Sequence, residues 1–285
     1  MNTTLILQAV LALFLVPAIG ALLNGVDRIL TARAQGRRGP PLLQPVYDVA
    51  KLLGKEPIVV NHQQIVYVYL HLGFTLLATI MVLLGQDMLM AVFILAFGGI
   101  SLVLGAMSVR SPYSRIGGMR EILQMLAYEP ILVMLVIAIY LIKGDFMATN
   151  LVTKTGQPLL MQLPLLFLAF WAVAAIKLRK SPFDISTSHH AHQEIVKGVT
   201  VEYSGPYLAL IEIGHWVEST LVCAIFAAFW ATNYWVAVIL ALVAYEGLIL
   251  LDCASARLTW PWMLRKMWTV GLGLGIANLV WLYVK

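Results

Sequence analysis

Residues 88–109 read MLMAVFILAFGGISLVLGAMSV, twenty-two positions without one charged side chain. A bilayer core about 30 Å thick takes about 20 apolar residues in a helix that rises 1.5 Å per residue. The block is too evenly apolar for a soluble amphipathic helix, which keeps a polar face between hydrophobic positions three and four residues apart. Working outward, similar blocks lie near 4–26, 64–85, 120–142, 159–177, 205–230, 233–251 and 262–284, about eight spans in all; the fifth and seventh are short. Hydrophobic residues make up 61% of the chain and charged ones only 12%, about half the charged share of a soluble domain. In lipid only helices and closed barrels satisfy their own backbone hydrogen bonds. The expectation is an all-α polytopic membrane protein with residues 1–285 as a single transmembrane domain.

The formal charge of +5 raises the question of nucleic acid, but the placement of the charges argues against it. Sixteen of the nineteen Lys and Arg fall in the segments 27–63, 110–120 and 177–204 and around the last turn at 252–261 (Arg257, Arg265, Lys266), all on one side of the predicted spans. Lys143, Lys154 and Lys285 alone fall on the other. Cytoplasmic loops carry the excess of Lys and Arg. Both termini are therefore expected on the outer face of the cell inner (cytoplasmic) membrane, with the large loops cytoplasmic. No cleavable signal peptide is expected, because residues 1–3 carry no basic start and the first apolar stretch is too long.

Two of the cytoplasmic loops are more than connectors. Gly36-Arg37-Arg38-Gly39-Pro40-Pro41 imposes a turn. Val46, Val49, Ala50 and Leu53 then recur at helical spacing while Asp48, Lys51 and Lys55 point elsewhere, so an amphipathic segment lies at the membrane surface or against a partner. The third long loop runs through Lys180-Ser181-Pro182-Phe183-Asp184 to His189, His190, His192 and Glu194, then to Glu202-Tyr203-Ser204-Gly205. Three histidines without a fourth ligand at recognisable spacing do not define a metal site. Titration near neutral pH, bridging to a partner and simple solvation all remain open for them.

Four acids fall inside predicted spans: Glu129, Glu212, Glu218 and Glu246. A charge at the bilayer centre costs at least about 2.5 kcal/mol on insertion scales. Glu212, His215 and Glu218 are spaced by three residues and form a slanting ladder rising about 9 Å. Interhelical hydrogen bonding accounts for a single such acid; four acids with His215 point to a proton or ion pathway. Glu121, Asp87 and Asp252 lie near span ends and read as interfacial, and His71 as a hydrogen-bonded core histidine. Cys223 and Cys253 are far apart and read as two core thiols with no cluster-ligating spacing.

Several of these motifs, in this order, resemble the H-type membrane subunits of respiratory complex I. They are Gly36-Arg37-Arg38-Gly39-Pro40, Leu43-Gln44-Pro45 with Asp48 and Lys51, Met119-Arg120, Tyr128-Glu129, Pro182-Phe183-Asp184, Gln193-Glu194 and Glu202-Tyr203-Ser204-Gly205. Departures from the family pattern are informative. The family's glutamate run before Gln-Glu is replaced by the stretch with His189, His190 and His192; a family Glu aligns with Lys177 and another with His215. The string Ser181 to His192 resembles the corresponding subunit of Ech-type, group 4 energy-converting [NiFe] hydrogenases.

The resemblance implies a membrane subunit without cofactors of its own. It would hold a peripheral arm of hydrogenase large and small subunits and iron–sulfur proteins, which carry the [NiFe] centre and clusters, and would join an antiporter-like membrane subunit. It also implies roles in the ion path or coupling loop for Glu129, Glu194 and Glu202, and places Arg37 and Asp184 beside the arm. Competing readings are a quinone-reducing complex I-type subunit, a passive anchor, and a stand-alone transporter, the last disfavoured by the lack of an inverted repeat.

Overall fold

A computed structural model of the chain describes residues 3–152, 157–183, 186 and 197–284. The helices are α1 (Thr3–Ala34), α2 (Gln44–Leu53), α3 (His62–Leu83), α4 (Met88–Met107), α5 (Pro112–Lys143), α6 (Leu159–Gln162), α7 (Pro164–Lys177), α8 (Gly205–Ala228), α9 (Tyr234–Ala254), α10 (Trp260–Lys266) and α11 (Leu272–Val284). A π turn at Met267–Gly271 joins the last two into one rod. Among the described residues seven segments are long and apolar enough to cross a membrane, and the chain is a multi-pass membrane protein.

The fifth of the eight expected spans, at 159–177, is broken. After the single turn of α6, Leu163 leaves the helix (φ −125°, ψ 47°) and Pro164 restarts it as α7. Proline lacks the N–H that would continue the ladder and disfavours helical geometry in the residue before it. The fourteen residues of α7 rise about 21 Å, short of a full bilayer core. The segment nevertheless joins the two ends of the bundle. Leu160 N–H donates to the Phe229 carbonyl beyond the end of α8 (2.9 Å), and Ser181 N–H donates to the Asp252 carboxylate near the end of α9 (2.8 Å).

Two of the helix interruptions are each repaired by a polar side chain from the Trp260–Val284 rod. Asn278, fully buried, accepts from the N–H groups of Leu165 and Leu166 (2.9 and 3.1 Å) and donates to the Gln162 carbonyl (3.0 Å). Pro130 inside α5 removes the donor that would serve the Leu126 carbonyl four residues back. The indole N–H of Trp268, on the π turn, fills that place at 3.2 Å. Elsewhere small residues let helices close up, the usual device where lipid tails remove the hydrophobic drive between helices. At Gly20 a Cβ would stand 2.0 Å from the Trp216 carbonyl oxygen, and Thr220 Oγ1 donates across the same contact to the Val16 carbonyl (2.9 Å).

The main apolar core is gathered by α5, α7, α8 and α9, with Phe170 and Phe226 edge to face at 4.9 Å. The amphipathic helix α2 forms, but it packs on its own bundle. Val49 is buried against Ala21, Ala209 and Trp216, and Leu52 packs on the same cluster. Val46, Ala50 and Leu53, expected on the apolar face, stay exposed. Periodicity locates a stripe to within a few tens of degrees; the neighbour that covers it decides which residues are inside. The thiols also depart from the expectation of two core residues: Cys223 is half-buried and Cys253 exposed.

Replacing Asn278 with Leu leaves two buried N–H groups and a carbonyl without partners, at about 1–3 kcal/mol each. The expected result is a lower thermal midpoint for the detergent-purified chain, with α7 losing protection first in hydrogen exchange. Unchanged protection at Leu165 and Leu166 would show that the break does not depend on this contact.

Candidate functional site

The chain leaves α7 at Leu178 and passes through Arg179 in a left-handed conformation (φ 56°). That geometry turns three cationic side chains, Lys177, Arg179 and Lys180, into the bundle, where each meets acids from other helices. Lys177 Nζ lies 2.9 Å from Glu218 of α8, and Arg179 reaches Glu218 at 3.4 Å and Glu121 of α5 at 3.7 Å. Lys180 Nζ lies 2.6 Å from Asp27 of α1 and 3.5 Å from Asp252 of α9. Four helices are thereby tied to one short stretch of backbone. The Lys177 and Glu218 side chains are 8% and 3% exposed. At that burial neither charge is tolerable without the other, because desolvating an ion costs several kcal/mol.

Tyr128 completes the cluster. Its hydroxyl accepts from Lys177 Nζ at 3.3 Å, and its ring lies 5.3 Å from the same ammonium. Ser186, itself fully buried, donates to Glu121 and closes the far side of the cluster. Glu218 and Arg179 each serve two partners. Arg179 can therefore move between Glu218 and Glu121 while Lys177 keeps Glu218.

Beside the cluster lies a polar cavity of about 310 Å³, lined by Lys177, Arg179, Lys180, Glu212, His215, Glu218, Asp27 and Asp252 with Asn24, Ser219, Tyr245 and Cys253 among others. At about 30 Å³ per water it holds several, and its donors and acceptors supply the two to four partners each needs. Glu212 and His215 stand 3.9 Å apart on one wall, too far for a direct hydrogen bond. Behind that wall the His71 ring lies 6.3 Å from His215, edge to face, with Nδ1 on the Gly98 carbonyl at 2.9 Å and Nε2 without a hydrogen-bond partner. The absence of a side chain on Gly214 makes room for that ring, since a Cβ there would meet Nε2 at 2.7 Å.

The sequence-predicted residues divide. Glu212, His215 and Glu218 come together on the cavity. Glu129 is apart from it, one residue beyond Tyr128, with Oε1 buried and lacking a hydrogen-bond partner. Glu246 is exposed on the outer side of α9 and joins neither. It lies within α9, as expected from the sequence, but away from the cavity that Glu212, His215 and Glu218 share: helical phase decides which way a residue in the middle of a span faces. Asp48 is half-buried, held by Arg28 at 2.5 Å and by Gln44 at 2.9 Å. Burial pushes its carboxyl up, but those two hydrogen bonds outweigh it and hold the group below the usual carboxylate range.

Arg37 and Lys51 are exposed, and Glu202 is half-buried. The Glu202 segment is tied to the exit of α2 through Ser204, which accepts from Ile58 N–H (3.0 Å) and donates to its carbonyl (2.9 Å). Asp184, His189, His190, His192 and Glu194 lie outside the described residues.

Sequence reasoning missed the cationic half of the site. Lys177, Arg179 and Lys180 read as loop charges, and Glu121 and Asp252 as interfacial, although both acids are ion-paired at the cluster. The available signal is the Lys-x-Arg-Lys run directly after an apolar block that ends without a glycine stop. Glu121 escapes a sequence reading because α5 starts at Pro112, ahead of its apolar stretch, which puts the acid more than two turns inside the helix.

Apolar helices of bilayer length around a polar, ion-paired cavity define a multi-pass membrane protein. The family described as NADH dehydrogenase matches residues 7–283, and the chain belongs to it, among its H-type membrane subunits. Among its relatives, hydrogenase-4 component C of Escherichia coli (strain K12) is 27% identical, over 78% of this chain and 72% of that protein. The H-type subunit of the NADH-quinone oxidoreductase of Geobacillus thermodenitrificans (strain NG80-2) is also 27% identical, over 94% of this chain and 91% of the relative. The fold is shared with a chain of the membrane-bound sulfane sulfur reductase, an archaeal respiratory membrane complex, at a TM-score of 0.87 and 24% identity over 98% of this chain and 99% of that one.

Removing one partner of a buried pair costs about 3–5 kcal/mol, whereas replacing both is often neutral. Glu218→Gln and Lys177→Met should each lower the thermal midpoint of the purified protein, and the double variant should recover much of the loss. Additive losses in that cycle would show that the two groups are not coupled.

Proposed function

We propose that this chain is the membrane subunit of a group 4 energy-converting [NiFe] hydrogenase, coupling electron transfer in a peripheral arm to movement of H⁺ or Na⁺ across the inner membrane. The observation that carries the reading is the position of the ion-paired segment. Residues 177–181 hold Glu218, Glu121, Asp27 and Asp252 and precede in sequence the 184–196 segment, which the family resemblance sets beside the arm. A displacement of that loop moves Lys177 and Arg179 among their acid partners. The change in field acts on Glu212, His215 and the cavity water, and a proton or cation compensates it.

The histidine-bearing string at 181–192, and Lys177 and His215 standing where complex I proteins carry glutamate, support the hydrogenase side of the family over the quinone side. The cofactors, a [NiFe] centre and iron–sulfur clusters, belong in this reading to the arm subunits: hydrogenase large and small subunits and iron–sulfur proteins. An antiporter-like subunit continues the membrane part. A quinone-reducing role is the second reading, favoured by the length of the match to the NADH-quinone oxidoreductase relative, which reaches 94% of the chain.

The complex extracted gently through a tag on this chain should evolve hydrogen from reduced ferredoxin and contain nickel and iron. Quinone-dependent oxidation without hydrogen would transfer the chain to the second reading. In the hydrogenase complex reconstituted into vesicles, Glu129→Gln and Glu212→Gln should keep dye-linked hydrogen evolution and lower ion pumping by about tenfold or more, the scale of a lost proton carrier. Full pumping in both variants would reduce the chain to a passive anchor.

A further inference from the structure

The outer face of α9 presents Trp235, Ile239, Leu242, Val243, Glu246 and Leu250, a single stripe at spacings of three and four residues. Five of these are apolar and 52–74% exposed, as lipid-facing residues are. Glu246 is the exception: a carboxylate, also exposed, in the middle of the stripe. It stands about 12 Å from the Ala254 end of the helix and about 18 Å from the Tyr234 end, at 1.5 Å per residue. Lysine and arginine can snorkel to an interface on long stems; glutamate is too short to cover either distance. No ion pair joins it to any described residue.

A membrane-embedded carboxylate facing acyl chains is strongly disfavoured, and such groups almost always pair. α9 carries no Lys or Arg and no described residue pairs with Glu246, so a second copy meeting it through the same stripe would bring carboxylate against carboxylate and apolar groups. Lipid headgroup amines lie at the interface, beyond its reach.

We propose that this face of α9 is an intersubunit interface, occupied by a transmembrane helix of a different polypeptide that carries a lysine or arginine at the depth of Glu246. The flanking residues Ile239, Leu242, Val243 and Leu250 supply the apolar packing, and the ion pair fixes the register of the two helices. The proposal goes beyond the functional reading and does not depend on which electron acceptor the complex uses, because its test reads subunit composition rather than activity.

The native complex is purified in mild detergent through this chain, and the amount of each membrane subunit per chain is measured. Glu246→Leu should lower one membrane subunit by about tenfold or more, the scale of leaving a partner's buried cation unpaired. Glu246→Gln should retain more of it, and changing the lost subunit's cation to glutamate together with Glu246→Lys should restore it. A photoreactive residue at Val243, with Glu246 intact so that folding is undisturbed, should couple to that same subunit. All subunits retained in Glu246→Leu, or coupling at Val243 to lipid alone, would overturn the proposal.

Discussion

The structure depends on the neutralisation of three cations that leave one short helix together. Lys177, Arg179 and Lys180 follow a run of apolar side chains, and α7 has no length left to carry them clear of the bundle. They are accommodated because Glu218, Glu121, Asp27 and Asp252 arrive from four other helices. Each acid alone would be as costly as the cations. The requirement to match all of them fixes the rotation of α8 and α5 and the approach of α1 and α9. The polar cavity lies beside the same groups and is lined by them.

A second constraint is the absence of a hydrophobic drive between helices in lipid. The spans carry many exposed Leu, Ile, Val and Phe side chains, so burial of oily surface does not by itself choose the arrangement. Close contacts and individual hydrogen bonds choose it instead. The Trp260–Val284 rod shows this twice, with Asn278 serving the break before α7 and Trp268 serving the carbonyl freed by Pro130. The interruptions at Pro130 and Pro164 lie far in sequence from Trp268 and Asn278, which repair them.

These constraints concentrate polarity near one end of the bundle. The cavity, the ion-paired segment and the junction of the α2 exit with Ser204 lie where the long basic loops emerge, whereas the opposite end is closed by backbone contacts. There the Gln86 carbonyl accepts from Ala148 N–H at 3.0 Å, and Met88 N–H donates to the Phe146 carbonyl at 2.9 Å. The ion-paired groups thus gather at the end of the bundle from which the basic loops leave.

What the sequence determined by itself is the membrane class, the approximate spans and the family. Apolar blocks of bilayer length are a one-dimensional property, and ordered motifs such as Gly36-Arg37-Arg38-Gly39-Pro40 and Glu202-Tyr203-Ser204-Gly205 survive without coordinates. The ladder of Glu212, His215 and Glu218 was also legible, because their spacing puts them along one helix side and all three line the cavity. Tertiary structure alone decided the partners. Glu246 and Glu218 look equally intramembrane in sequence, yet one is exposed and the other is 3% exposed with two cations against it. Lys177 and Asp252 read as loop and span-end charges until distant helices met. The physical reason is that hydropathy records how deep a residue lies along its helix, while charge pairing depends on the rotation of each helix and on which helices are neighbours, and no local pattern carries either.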